Sequence, residues 1–81
     1  MAELGCQARV KDWAWKIPRV REQTKKMLRY TLKEAGAHSI VIEPPEHVLV
    51  DGYVDEEGDW QPIDKPYWVM DLMATGVTNG P

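Results

Sequence analysis

The chain is 81 residues long, with 43% hydrophobic and 28% charged residues and a formal net charge of −3. That length holds one core near the lower limit of unaided folding, and the composition is globular rather than disordered. A single cysteine, Cys6, excludes an intrachain disulfide, and no stretch approaches the roughly 18 apolar residues of a membrane span, so a cytoplasmic protein without membrane attachment is expected.

One domain is expected over 1–81, with residues 1–8 as a flexible end. Residues 7–17 read two ways. Val10, Trp13, Ala14 and Ile17 fit helical spacing, whereas Arg9, Lys11, Trp13, Trp15 and Ile17 fit a strand with a weakly apolar face. A short helix or irregular arm is favoured, with a bend at Ile17 because the following Pro18 disfavours helical geometry there. Residues 18–35 carry Val20, Thr24, Met27, Leu28, Thr31, Leu32 and Ala35 at i, i+4, i+7 spacing, the stripe of an amphipathic helix. Pro18 in its first turn and Gly36 past its last mark both ends. At about 1.5 Å per residue the helix would be about 27 Å long, with Arg19, Lys25, Lys26, Arg29 and Lys33 mostly on its wet face.

Beyond Gly36 the pattern becomes that of strands. Residues 39–43, centred on Ile40, Val41 and Ile42 and stopped by Pro44 and Pro45, form one β-branched run; residues 47–54, with Val48, Leu49 and Val50, form a second. Asp55, Glu56, Glu57, Gly58 and Asp59 make a turn, and residues 60–63 a short returning strand at an edge, since Pro62 lacks a ladder donor. Residues 67–73 read as a strand with Trp68, Met70 and Leu72 on one face, or as a short helix bracketed by Asp64, Pro66 and Gly76; the strand is favoured. Residues 75–81 are expected to be a frayed tail. The expected fold is α+β, one long amphipathic helix packed on a small, mostly antiparallel sheet of three to four strands.

Chemistry is sparse. His38, His47, Cys6 and the acids lack the paired spacings of a zinc site, and a calcium loop begun at Asp55 meets Trp60 where glycine is needed and Pro66 where glutamate is needed. No metal and no cofactor are expected. Ser39 is the only serine, and the glycines are scattered rather than grouped into a phosphate-binding loop, so no catalytic residue is assigned and the chain is read as a non-enzyme.

Charge and aromatic residues say more. Up to Lys33 nine basic residues face three acids, whereas from Glu34 onward ten acids face only Lys65. Such a chain folds into a dipole unless its halves lie against each other. There are four Trp and three Tyr with no Phe, a set suited to half-exposed hot spots, and Trp15, Trp60 and Tyr67 are expected at the surface.

The expected function is a non-enzymatic protein-interaction module. Asp55, Glu56, Glu57 and Asp59, with Trp60 and Tyr67, would engage a basic partner surface, as in an inhibitor or accessory subunit that presents carboxylates where phosphates would lie. One alternative is nucleic-acid binding through Arg19, Lys25, Lys26, Arg29, Lys33 and Trp15. Another is a homo-oligomer in which the basic face of one copy meets the acidic face of the next. In size and composition the chain resembles small accessory or inhibitory proteins of bacteriophages, with no motif carrying the resemblance.

Overall fold

The computed structural model describes residues 1–79. Its elements in chain order are β1 (Ala2–Lys11), α1 (Asp12–Trp15), α2 (Pro18–Glu34), β2 (Ala37–Ile42), β3 (Glu46–Val54) and β4 (Trp60–Thr78). The class is α+β with a four-stranded antiparallel sheet. The expectation of one long helix is corrected: among the described residues there are two helices, of 4 and 17 residues, and strands outweigh them.

Every strand pairs with β4. On one edge β1 follows it from Lys11↔Val69 to Ala2↔Thr78 without a break in register. On the other edge β2 and β3 lie end to end, from Ala37↔Thr78 to Val54↔Trp60, separated by Pro44 and Pro45, which have no backbone donors. Because β1 and β2 both run antiparallel to β4, they are parallel to each other. The two helices form the crossover between them, with β4 inserted in the middle of the unit.

Several expectations change accordingly. Residues 1–8 are not a flexible end but most of β1, in which Leu4, Cys6, Ala8 and Val10 are half-buried and alternate with exposed Glu3, Gly5, Gln7 and Arg9. The ambiguous stretch 7–17 divides into strand up to Lys11, one helical turn, and the bend ahead of Pro18. The expected short strand at 60–63 and the strand at 67–73 are one continuous β4. Asp51 alone opposes Ile63, Asp64, Lys65 and Pro66 between the pairs Val50↔Tyr67 and Gly52↔Pro62, and this wide irregularity absorbs the prolines where β4 has one open edge. Of the expected tail 75–81, Thr75 to Thr78 complete β4 against β1; Gly80 and Pro81 lie outside the described residues.

α2 begins at Pro18 and ends before Gly36, whose φ of 87° is the left-handed conformation that releases the chain into β2. Its buried row is Thr24, Leu28 and Leu32, narrower than the stripe read from spacing, and Met27 and Thr31 stay exposed. Leu28, Leu32, Ala37, Leu72 and Ala74 form the core, with Leu4, Cys6, Ala8, Trp15, Ile40, Ile42 and Met70 packed around them. Ser39, at φ 54°, sits in a bulge between His38 and Val41 that folds over Gly76. A Cβ on Gly76 would lie 2.9 Å from the Cβ of Ala37, so the bulge requires glycine beneath it.

The result is an open, one-sheet structure with a helix on one face only. Its extents are 45 × 36 × 17 Å and its radius of gyration is 15.3 Å, against about 12 Å for a compact domain of this length. It exposes 6141 Å², roughly 1,200 Å² more than is usual for a folded monomer of this mass. Among the described residues no helix is long and apolar enough to cross a membrane.

Candidate interaction surface

The excess surface has a definite location. β1 reaches only to Val69, so from Trp60 to Trp68 the last strand has a single neighbour, β3, and the pair extends past the body of the sheet as a two-stranded arm. Leu49, Tyr53, Val54, Trp60, Tyr67 and Trp68 are all large apolar residues exposed on this arm. A hairpin of two strands is marginal in water unless something braces it, and three local devices do so here.

At the tip, the Gly58 N–H donates to the Asp55 carbonyl at 3.0 Å, with Asp first and Gly fourth as in a type I turn, and Gly58 has φ 88°. Asp55 Oδ1 accepts the backbone N–H groups of Glu57 (3.0 Å) and Asp59 (2.9 Å), and its Oδ2 accepts Nε2 of Gln61 at 2.9 Å. These bonds, the Asp59 N–H first, hold the Asp55 carboxyl below the usual carboxylate range even though it is solvated. Asp55 therefore belongs to the turn itself, whereas Glu56, Glu57 and Asp59 are the exposed acids of the tip.

Further down, the Trp60 indole occupies the space where a side chain on Gly52 would begin. On the same face strand alternation sets Val50, Tyr67 and Val48 in line with Val69, which is only 1% exposed although no helix covers it. Val69 lies between Lys11 and Val48 in register, and Lys11 Nζ stands 5.3 Å from the Tyr67 ring centre. Beside them Arg9 makes a two-pronged contact with Asp71, Nε to Oδ1 at 2.7 Å and Nη2 to Oδ2 at 3.0 Å. The Arg9 bond lowers the Asp71 pKa, and the same bond raises that of Arg9. On the opposite face His47 stacks on Trp68 with ring centres 4.5 Å apart and places Nε2 3.1 Å from Asp12 Oδ1, which ties the base of the arm to α1.

Of the residues singled out from the sequence, Trp60 and Tyr67 are exposed on the arm with Glu56, Glu57 and Asp59. Trp15, expected at the surface, packs against the core, and Arg21 Nη1 donates to its carbonyl at 2.8 Å; Trp13, 67% exposed, is the outward one. The exchange follows from β1 running on to Lys11, which starts the helical phase afresh at Asp12 and turns the fourth residue inward. Sequence reasoning also missed Tyr53, Val54, Leu49 and Trp68, which were read as ordinary strand residues. The signal that marks them is Pro62 and Pro66, which deny the arm a third strand.

The basic residues gather elsewhere. Arg21, Lys25, Arg29 and Lys33 form an i, i+4 row along α2 beside the buried row, with Arg19 and Lys26 farther round. Among the described residues Arg9–Asp71 is the one Lys or Arg contact with a carboxylate, so the cations of α2 and the acids of the tip remain apart. A hollow of about 160 Å³ lies where Pro44 interrupts the edge, lined by Gln7, Glu43, Pro44, Glu46, Asp71, Leu72 and Met73. Among the described residues no three His, Cys, Asp or Glu side chains converge in a way that could hold a metal ion. Comparison of the chain with family models, with curated proteins and with solved structures finds no match.

Proposed function

We propose that the protein is a cytoplasmic, non-enzymatic interaction module whose β3–β4 arm docks on a basic protein surface. The observation that carries this reading is the arm itself, a two-stranded extension with six large apolar residues exposed, in a molecule whose surface exceeds the norm for its mass. Glu56, Glu57 and Asp59, with Asp51 and Asp64, give the arm a negative charge, so charge steers the encounter while Val54, Trp60 and Tyr67, which strand alternation sets on one face, supply the buried contact. A partner groove that otherwise binds a polyanion fits this chemistry, and the module then acts as an inhibitor or accessory subunit that occupies it.

The test is affinity capture with the intact chain, repeated after nuclease treatment, against a variant carrying Glu56→Gln, Glu57→Gln, Asp59→Asn and Trp60→Ala. Asp55 is left intact because it holds the turn. A protein partner that survives nuclease and is lost with the variant supports the proposal. Capture that is equal for both chains refutes it.

A second reading rests on the cation row Arg21, Lys25, Arg29 and Lys33, which presents four charges about 6 Å apart along the helix axis. That row suits the phosphate backbone of a nucleic acid, and release of the captured material by nuclease would favour it.

A further inference from the structure

The two edges of the sheet are built differently. The β2–β3 edge is guarded against pairing by Pro44 and Pro45, by the bulge at Ser39 and by the register shift between Val50 and Gly52. β1 has none of these protections. It is ten residues long, free of proline, in unbroken register with β4, and its outer edge has no strand beside it among the described residues. A straight, unguarded edge of that length is a pairing surface.

We propose that this edge pairs with β1 of a second copy, antiparallel, about a two-fold axis at Cys6, to make one continuous eight-stranded sheet. Residues directly opposite each other in an antiparallel pair share a face, so only registers that match even with even positions keep Leu4, Cys6 and Ala8 on the helix side of both copies. Centred on Cys6, the strand is complementary to itself. Leu4 stands opposite Ala8 of the second copy and Ala2 opposite Val10 on the helix side, and Glu3 stands opposite Arg9 on the open side. Arg9 uses Nε and Nη2 for Asp71, which leaves Nη1 for the incoming Glu3. Each complementary pair occurs twice, as two-fold symmetry requires.

The helix side offers a second contact. Parallel strands joined through a helix cross over with a right hand, and that hand turns the cation row of α2 toward β2 and the flank of Val20, Met27 and Thr31 toward the β1 edge. Met27 is 55% exposed and adjoins Leu28, whose carbonyl lies 3.7 Å from Cys6 Sγ. It therefore stands at the level of the two-fold axis, where it meets its own copy, and the cation rows point away from each other. The arms emerge at opposite ends of the joined sheet, so dimerisation leaves them free.

Sedimentation of the whole chain across a concentration series should show a monomer–dimer equilibrium. Diamide, which takes the two thiol hydrogens, should link the dimer through Cys6. Glu3→Arg, an exposed substitution that sets Arg against Arg9 twice across the axis, should weaken association by about tenfold or more, while Trp60→Ala should leave it unchanged. Hydrogen exchange adds an independent readout, because the alternate β1 amides that point outward are slow only when paired. A chain that stays monomeric with those amides fast, or a dimer that withstands Glu3→Arg and resists linkage at Cys6, would overturn the assignment. Loss of the dimer on Trp60→Ala would show instead that the arm mediates self-association, also against it.

Discussion

Trp60 and Gly52 interlock: the indole of one fills the volume that any side chain on the other would need. The pairing sets an aromatic residue over a strand glycine, a device that protects the backbone where glycine offers nothing to pack. It also explains why an exposed Trp, 57% accessible, has a fixed place on the arm. Gly52→Ala should displace the indole and cost about 1–3 kcal/mol in unfolding free energy. In the Trp60→Ala background the same change should cost clearly less, and a double-mutant cycle by chemical denaturation measures that difference.

The tip should separate structural from exposed acids. Asp55→Ala removes the acceptor of three hydrogen bonds and should lower the thermal midpoint and loosen the turn amides of Glu57 and Asp59 in hydrogen exchange. Glu56→Gln and Glu57→Gln should leave both unchanged. Equal effects from all three substitutions would mean that Asp55 has no bracing role.

Arg9 and Asp71 should impart a pH dependence. The Asp71 pKa is held below its ordinary 3.8 in the folded chain, so the pair stabilises the fold fully above that value, and the contribution fades as pH falls through the lowered one. Arg9 is more than half exposed, its side chain 54% accessible, and solvent limits the pair to about 1 kcal/mol or less. Asp71→Asn should therefore lower stability slightly at neutral pH and flatten the acid limb of a stability–pH profile.

The two neighbouring tryptophans should differ sharply. Trp15→Ala opens the margin of the core and should cost about 3 kcal/mol or more, whereas Trp13→Ala should fall within about 0.5 kcal/mol of the parent. Leu72→Ala, at the centre of the core, should cost about 2–5 kcal/mol, a large share of the stability available to so small a domain. Urea denaturation of the three variants measures all of these.

What was legible in the sequence was local. Pro18, Gly36 and the Thr24–Leu28–Leu32 spacing mark α2 within its own span, and the Asp55–Asp59 run marks the hairpin between two β-branched segments. β1 was not legible for the opposite reason. Its apolar face consists of Leu4, Cys6, Ala8 and Val10, a period-two pattern of mostly small residues, and its partners Thr78 to Val69 lie more than fifty positions away. The position of the tip acids and Trp60 at an exposed turn was legible because charge and turn chemistry reside in single residues. The arm was legible only in part: Pro62 marks an open edge within it, whereas its protrusion depends on where β1 stops, at the other end of the chain.

The dependence of every strand on β4 also governs the order of events during synthesis. β1, β2 and β3 leave the ribosome before the segment that receives their backbone hydrogen bonds, and until residues 60–78 emerge no sheet can form. Before β4 emerges, α2 is the one substantial element able to form. Sheet formation should thus be abrupt, set by closure of long chain loops once β4 has emerged, with Leu4, Ile40 and Ile42 uncovered in the nascent chain until then and open to chaperone capture.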